Sequence, residues 1–420
     1  MNTWLIALLI ALATSAAIQF GLVAGFALRL RSWRCEKIDD AAAPKALVIL
    51  CLRGGDPFLG RCIRGLVSQD YPDYEICFLV DSADDPAQAV LQRELASHDF
   101  DRFEIQILSE PLASCSLKCS SLVQALQSRL DSQGFVALLD ADTIPHRGWL
   151  RELATALHGA DIGAATGNRW YMPETISMGA MTRHAWNAAA IVQMYWYSIA
   201  WGGTLAIKFD SIRRAKLMDR WRNALCEDTM LRAQLKKINQ GIAFVPSLMM
   251  VNREDCSLPS FYGWVKRQLL TARLYHPLWF AVVGHGISSA ALLVWGWTEC
   301  IGFAFMGKST ESLVSLIAML TFHLFLSLML QWIESAVRGI VQARGESIDW
   351  NRDLRWWQLG WYVWTTQWIY TAALIGCLRS RRIDWRGIDY DVRGPFDIRM
   401  LGYRPFRNDE AIDGRENQSL

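Results

Sequence analysis

The chain begins with an apolar run that constrains its fold more than any other feature. Residues 4–28 are almost all apolar and carry no charge, and a helix of this length spans a bilayer. A cleaved signal peptide is the alternative, because small residues occupy positions 13–17. No basic residue precedes the run, whereas four follow it, at Arg29, Arg31, Arg34 and Lys37. We therefore expect a membrane anchor over residues 1–30, with the chain after it in the cytoplasm.

Long apolar runs return near the C-terminus. There are three, each long enough to cross a membrane, at residues 278–305, 313–333 and 357–378. Four crossings in all would leave the basic stretch "RSRRIDWR" outside the cytoplasm, against the positive-inside rule. Either one C-terminal run is re-entrant or lies in the interface, or the long run 278–305 does not cross the membrane simply. The run 357–378 is rich in Trp, Tyr and Gln, which suits the membrane interface. We expect transmembrane or interfacial helices over residues 277–378 and a polar cytoplasmic tail over residues 379–420.

Composition agrees with a chain that is part soluble and part membrane-bound. The hydrophobic share of 52% is high for a wholly soluble protein, whereas the mean hydropathy of +0.12 is low for a wholly membrane-embedded one. A net charge of +2 argues against a general nucleic-acid-binding surface. The ten cysteines are scattered without a C-x-x-C pair, which indicates reduced thiols and neither a disulfide framework nor a zinc site.

Residues 44–276 have the pattern of a soluble α/β domain. The apolar runs "ALVILCL", "EICFLV", "FEIQIL" and "FVALLD" predict strands, and stretches with helical spacing separate them. This alternation predicts a mostly parallel sheet. In such sheets ligands bind at the carboxyl ends of the strands, where Asp81 and Asp140 stand.

Two aspartates close the fourth predicted strand, in the sequence "LLDADTIP". Because alternate strand residues face the same way, Asp140 and Asp142 are placed to hold one divalent cation. The alternative is a turn, since aspartate is common where strands end.

Five stretches together resemble a known enzyme family. In order they are "SQDYPDYEICFLVDSADDP", "LLDADTIPHRGWL", "WGGTLAI", "CEDTMLRAQL" and "VKRQLLTAR", between about residues 45 and 277. The chain resembles membrane-attached family 2 glycosyltransferases, in the branch of ceramide glucosyltransferases and hopanoid-biosynthesis glycosyltransferases. The resemblance implies a GT-A domain and a nucleotide-sugar donor, UDP-linked.

The resemblance also implies roles on the donor side. Asp81 corresponds to an aspartate that contacts the base or ribose, although it can equally cap a turn. Lys118, at a predicted helix start, corresponds to a lysine near the uridine or its phosphate. Asp142 corresponds to the direct ligand of Mg²⁺ or Mn²⁺, and Asp140 faces the sugar or ribose beside that metal.

Asp228, in "CEDT", corresponds to the family's catalytic base. A carboxylate there takes the proton of the acceptor hydroxyl, and one base with a metal-bound leaving group implies a single inverting displacement. Glu227 is the neighbouring alternative. Both acidic residues would also be favourable at the start of the helix that follows, with no catalytic role.

The acceptor side is assigned to "AWGGTLAI". Gly202 and Gly203 allow close backbone approach, and Trp201 offers an aromatic face to a sugar ring; an ordinary glycine turn is the alternative. His184 and Trp186 lie in an aromatic helix that either packs or forms a lip for a lipid acceptor.

One motif departs from the family pattern. Where many relatives carry Q-x-x-R-W, this chain has Gln268 followed by Thr271 and Ala272. Arg267 and Arg273, with Lys266, either take over the charge role near the diphosphate or bind lipid phosphates. The missing Trp argues against processive polymer synthesis, and we expect transfer of one sugar to a membrane lipid. A processive synthase and a non-catalytic nucleotide-sugar-binding protein are the rival functions.

Overall fold

A seven-stranded mixed sheet forms the centre of the protein in the computed structural model, which describes residues 2–34, 37–346 and 356–406. Its strands are β1 (Ala46–Leu52), β2 (Tyr74–Val80), β3 (Phe103–Ile107), β4 (Phe135–Leu139), β5 (Ile162–Tyr171), β6 (Thr204–Lys208) and β7 (Gly241–Asn252). The order is β3-β2-β1-β4-β6-β5-β7, and β6 alone among them runs antiparallel to its neighbours. The predicted α/β fold with a mostly parallel sheet is confirmed.

Helices precede, cover and follow this sheet. They are α1 (Thr3–Ser32), α2 (Leu59–Val67), α3 (Ala87–Ala96), α4 (Leu117–Gln127), α5 (Trp149–Ala156), α6 (Met178–Tyr197), α7 (Phe209–Arg214), α8 (Leu217–Trp221), α9 (Leu231–Lys236), α10 (Leu258–Tyr275), α11 (Trp279–Phe305), α12 (Ser309–Ala343) and α13 (Trp356–Arg379).

Alternate residues of the strands build a hydrophobic core on each face of the sheet. Leu47 and Ile49 of β1 belong to the core shared with α4. Val48 and Leu50 belong to the opposite core, shared with α2. Because β1, β2 and β4 are parallel, their carboxyl ends share one edge of the sheet. The predicted functional residues that follow β2 and β4 therefore start from the same edge.

In the part of the chain that the structure describes, three helices are long and apolar enough to cross a membrane, judged by length and composition: α1, α11 and α12. The outward face of α11 is apolar at every seventh residue, at Phe280, Ile287, Val294 and Ile301, all exposed. Helix α13 is not among the three. It packs against α6 and α10 of the central domain and exposes Trp361 and Trp368 on its outer side. The interfacial role expected for residues 357–378 stays a prediction.

Residues 382–401, expected from their composition to belong to a polar tail, form a second sheet. Its strands are β8 (Arg382–Trp385), β9 (Ile388–Gly394) and β10 (Asp397–Leu401), in the antiparallel order β10-β9-β8. The alternation "IDYDV" buries Ile388, Tyr390 and Val392. On the far strand, the Met400 N–H donates to the carbonyl of Ala113 over 2.8 Å. The segment is therefore a folded part of the domain surface; residues 407–420 of the predicted tail lie outside the described residues.

Nine cysteines lie in the described part of the chain, and all are free thiols. Cys115 and Cys119, the closest pair in sequence, are both buried around the start of α4. Eight of the nine are buried and serve as small apolar core residues.

Candidate active site

One cavity lies at the carboxyl ends of β1 and β4, enclosed by the central sheet, α10 and the C-terminal sheet. It holds about 1110 Å³ of empty space, including the open solvent at its mouth. Among the described residues, four acidic side chains line it, namely Asp140, Asp142, Glu227 and Asp228. Five basic ones face them, namely Arg53, Lys118, Arg169, Arg267 and Arg386. Charged residues from distant parts of the sequence therefore converge in one place.

Lys118 links two of the acidic segments. It lies in the first turn of α4, and its Nζ is 2.6 Å from Asp140 Oδ1 and 2.7 Å from Glu227 Oε1. Burial opposes the charge of Lys118, but the two carboxylates outweigh it and raise its pKa well above the usual value. Burial likewise opposes the charge of Asp140, and Lys118 outweighs it, so that the pKa of Asp140 is lowered. The predicted contact of Lys118 with a nucleotide stays a prediction.

Asp142 is a buried carboxylate with few partners. Asn252 Nδ2 donates to its Oδ2 over 3.1 Å, and the Thr143 hydroxyl donates to its Oδ1 over 3.3 Å. Burial and the nearby carboxylates of Asp140 and Asp56 raise the pKa of Asp142 to about 7. A cation would relieve this unbalanced negative charge.

The residues present fit a cation that completes its shell from the substrate. Among the described residues, no three His, Cys, Asp or Glu side chains form a ready-made metal cluster. Mg²⁺ is commonly held by one or two carboxylates together with substrate phosphates and water. Asp142, with Asp140 beside it in the same loop, meets that requirement.

Asp228 also lines the cavity, just before α9, and is half-buried. Its Oδ2 accepts a hydrogen bond from the backbone N–H of Gly202 over 2.8 Å. Its Oδ1 accepts from the Thr229 backbone and hydroxyl over 2.5 and 2.9 Å. The neighbouring Glu227 is only 2% exposed and is paired with Lys118. Of the two, Asp228 has the better access to a molecule in the cavity.

The two residues between Trp201 and β6, Gly202 and Gly203, have to be glycines because carboxylates lie where a Cβ would be. A Cβ on Gly202 would overlap the Glu227 carboxylate, and one on Gly203 would lie 2.6 Å from Asp140 Oδ2 and overlap the Trp201 ring. Trp201 and Gly202 line the cavity, whereas the Trp201 ring is only 5% exposed and lies 4.9 Å from the guanidinium carbon of Arg169. Contact with a sugar ring stays a prediction for this segment.

Helix α10 presents only part of its predicted set to the cavity. Arg267, Gln268 and Thr271 line the wall. Arg273 does not, because its guanidinium donates to the carbonyls of Leu378 and Ser380 over 2.7 and 3.4 Å. Arg273 thus caps the end of α13 and is not among the residues brought to the cavity.

Asp81 is also outside the set of residues that line the cavity. Its buried carboxylate forms an ion pair with Arg53, whose side chain does reach the wall. It also accepts from the Tyr403 hydroxyl and the Phe406 N–H, each over 3.0 Å. The C-terminal segment therefore occupies the oxygens predicted to contact a nucleotide, and that contact stays a prediction.

His184 and Trp186 have packing surroundings. His184 is 1% exposed, with Nδ1 2.8 Å from the Tyr171 carbonyl. Trp186 contacts Trp264 edge-on, with ring centroids 5.3 Å apart. Neither residue lines the cavity.

Sequence reasoning missed several residues of the cavity wall. They are Arg53, Arg169, Trp264, Trp385, Arg386 and Tyr390. Arg169 carried a usable signal, since a lone arginine within the apolar strand "GAATGNRWY" has to find buried partners. Trp385 and Arg386 carried none, because their stretch had the composition of a polar tail.

Three solved structures that match the chain are remote from it in sequence and in structure. A mannosyltransferase from Pyrobaculum calidifontis, in complex with GDP-Man and Mn²⁺, is 16% identical, with 89% of this chain and 99% of that one covered and a TM-score of 0.45. S. aureus TarS 1–349, in complex with UDP-GlcNAc, is 13% identical, with 86% and 100% covered and a TM-score of 0.36. Glucosyl-3-phosphoglycerate synthase from Mycobacterium tuberculosis, with Mn²⁺ and UDP, is 14% identical, with 57% and 85% covered and a TM-score of 0.37. At these values no detail of those sites transfers to this chain.

No curated protein matches the sequence significantly. The sequence model of glycosyl transferase family 21, in contrast, matches residues 9–395, which include both predicted acidic motifs, the membrane-length helices and most of the C-terminal sheet. The resemblance to ceramide glucosyltransferases is thereby confirmed, with family 21 in place of family 2. The chain belongs to glycosyl transferase family 21 and is a nucleotide-sugar-dependent glycosyltransferase with a GT-A domain.

Proposed function

We propose that the protein is an inverting, metal-dependent glycosyltransferase that moves a hexose from a UDP-linked donor to the hydroxyl group of a membrane lipid. The observation that supports this most is the convergence of four acidic and five basic side chains on one cavity. A diphosphate with its cation requires both signs of charge, and an acceptor hydroxyl requires a carboxylate apart from the cation.

On the donor side, Asp142 is the main metal ligand and Asp140 lies beside it. When bound, Mg²⁺ or Mn²⁺ supplies Lewis-acid stabilisation of the diphosphate leaving group. Lys118 holds Asp140 in position through its 2.6 Å ion pair. Asp81 serves the nucleotide through Arg53, with which it pairs.

On the acceptor side, Asp228 is the general base. It takes the proton of the acceptor hydroxyl while the hydroxyl oxygen bonds to the anomeric carbon and the bond to the diphosphate oxygen breaks. Attack from the face opposite the leaving group inverts the configuration, so that no carboxylate nucleophile is needed. Glu227 is less suited to this step because it is buried and paired with Lys118.

The position of α10 supports a lipid acceptor. This helix contributes Trp264, Arg267, Gln268 and Thr271 to the cavity wall. After α10 ends at Tyr275, α11 begins at Trp279 and is long enough to cross a membrane. The chain thus runs directly from the cavity wall to a helix that can enter the membrane, which places the cavity near a lipid hydroxyl at the bilayer surface.

The topology proposed here resolves the conflict seen in the sequence. The central domain and the C-terminal sheet pack on each other, so they lie on the same side of the membrane. The number of crossings between them is then even, and α11 with α12 provides two. Helix α13 lies in the interface on the cytoplasmic side, and α1 crosses once with its N-terminus outside, as the basic residues after it require.

The experiment that tests the function is a donor screen. Purified protein with Mn²⁺ or Mg²⁺ is incubated with UDP-, GDP- and dTDP-sugars and a membrane lipid extract, and products are identified by mass spectrometry. One sugar added to one lipid is the expected result. A ladder of chain lengths would indicate a processive synthase, and nucleotide binding without hydrolysis or transfer from any donor would contradict the proposal.

A further inference from the structure

The turn between β8 and β9 brings two residues to the cavity wall. Arg386 and Gly387 have φ angles of 51° and 73°, the paired positive values of a tight two-residue hairpin turn. Trp385 and Arg386 both line the cavity. Since they follow the membrane helices in sequence, only the return of the chain to the central domain places them in the same cavity as Asp140 and Lys118.

Arg386 is fixed at the wall by reciprocal hydrogen bonds with Arg53. Arg386 Nη1 donates to the Arg53 carbonyl over 3.0 Å, and Arg53 Nε donates to the Arg386 carbonyl over 3.1 Å. Arg53 is held in turn by its ion pair with the buried Asp81. Arg386 Nη2 lies 3.8 Å from Asp56 Oδ2, a distance too long for a hydrogen bond. The Arg386 guanidinium is therefore well positioned and only partly neutralised.

Positive charge is concentrated around this guanidinium. Burial, and after it the charges of Arg169 and Arg386, lower the pKa of Arg267 to about 10. The guanidinium carbon of Arg267 lies 5.0 Å from the centre of the Trp385 ring. The wall formed by Arg267 and Arg386 thus suits an anion with several oxygens.

We infer that Arg386 and Arg267 together bind the terminal phosphate of the nucleoside diphosphate, and that Trp385 positions Arg267 for this contact. The inference rests on the proposed function. That phosphate carries the charge that develops as the bond to the sugar breaks, and fixed guanidinium donors stabilise it. In this chain α10 carries Thr271 and Ala272 after Gln268, so the C-terminal sheet supplies an arginine and a tryptophan in place of the pair that is absent at positions 271 and 272.

The test compares a nucleoside diphosphate with its monophosphate. UDP and UMP are titrated calorimetrically into the full-length protein in detergent with Mn²⁺, and GDP with GMP form a second pair. Arg386→Gln should weaken UDP binding about 10–100-fold, the loss expected when charge-assisted hydrogen bonds are removed. The affinity for UMP should stay within about threefold of wild type, because UMP lacks the terminal phosphate of UDP. Arg393→Gln, an exposed arginine of the same sheet, should change neither.

Further variants separate binding from folding. Arg386→Lys keeps the charge but loses the planar guanidinium, so its affinity for UDP should lie between that of wild type and that of Arg386→Gln. Trp385→Phe should keep the preference for UDP over UMP, and Trp385→Ala should lower it. Thermal melting of each variant shows that it is folded, and Arg386→Lys carries the test if Arg386→Gln does not fold.

Two results would overturn the inference while the proposed function stands. One is an unchanged preference for UDP over UMP in Arg386→Gln. The other is an equal loss of both nucleotides, which indicates a merely structural role. Wild-type protein that binds none of the four nucleotides would instead overturn the proposed function, and this assignment with it.

Discussion

The backbone N–H of Gly202 donates a hydrogen bond to Oδ2 of Asp228 over 2.8 Å, which joins the proposed acceptor segment to the proposed base. With Thr229 bonded to the other oxygen, the carboxylate has one orientation. A carboxylate oxygen has two lone pairs, so one bond from Gly202 leaves room for the proton of an acceptor.

Asp228→Asn should abolish most of the transfer and leave donor binding intact. The amide cannot accept the proton, so we expect turnover to fall by about 10²–10⁴-fold, the usual contribution of a general base. Binding of UDP with Mn²⁺ should stay within about threefold of wild type, since Asp228 does not hold the diphosphate. The exposed Asp219→Asn is the control, and full turnover in Asp228→Asn would exclude it as the base.

Asp142→Ala should lose the metal dependence of donor binding. Because Asp142 is the proposed main ligand, Mn²⁺ should no longer strengthen UDP binding, as measured by calorimetry with Mn²⁺ and with EDTA. Asn252→Ala removes the amide that orients Asp142 Oδ2 and should weaken the apparent affinity for Mn²⁺ by about 10–100-fold. The exposed Asn223→Ala is the matched control. Mn²⁺-stimulated binding that survives in Asp142→Ala would refute the metal assignment.

Gly202→Ala should inactivate the enzyme although it adds a single methyl group. The new Cβ would overlap the Glu227 carboxylate and lie 3.2 Å from Lys118 Nζ. Displacing these groups disturbs the Lys118 ion pairs and costs about 1–3 kcal/mol. Gly263, in α10, faces open space, and a Cβ added there would meet no neighbouring atom within 4 Å, so Gly263→Ala should be neutral or stabilising by up to about 1 kcal/mol. Turnover and thermal melting of both variants check this, and equal behaviour of the two would contradict it.

Acidification should destabilise the protein through His276. Burial, with Arg232 nearby, lowers the pKa of this histidine to about 4. The unfolded state therefore binds the proton first as the pH falls below about 6.5, and stability is lost between pH 6.5 and 4. His276 Nδ1 accepts from the Leu278 N–H over 3.2 Å, and the oxygen of an asparagine can replace it. The melting temperature of His276→Asn should fall less over this range than that of wild type; parallel curves would contradict the assignment.

Cysteine labelling should place the α11–α12 loop and the C-terminal sheet on opposite sides of the membrane. Lys308 lies between α11 and α12, Arg393 lies in β9, and both are exposed. A membrane-impermeant maleimide should label Lys308→Cys in intact cells and label Arg393→Cys only after permeabilisation. The parent protein gives the background from its own thiols. Labelling of both positions from the outside would exclude the proposed topology.

The sequence by itself determined the local features of the protein. The apolar runs predicted α1, α11 and α12, because the length needed to cross a bilayer is a property of a continuous stretch. The alternation of apolar runs and amphipathic stretches predicted the parallel sheet, because side-chain periodicity follows from backbone geometry. The motifs around Asp142 and Asp228 were found because each is contained within a few residues.

The tertiary structure decided which of these residues meet. Arg267 and Arg273 are six residues apart in one helix. At 3.6 residues per turn their side chains point about 120° apart around the helix axis, and only the packing of α10 shows which one faces the cavity. Trp385 and Arg386 reach the cavity because the chain returns to the central domain after the membrane helices. Such contacts depend on how distant segments pack, and no local pattern of residues contains that information.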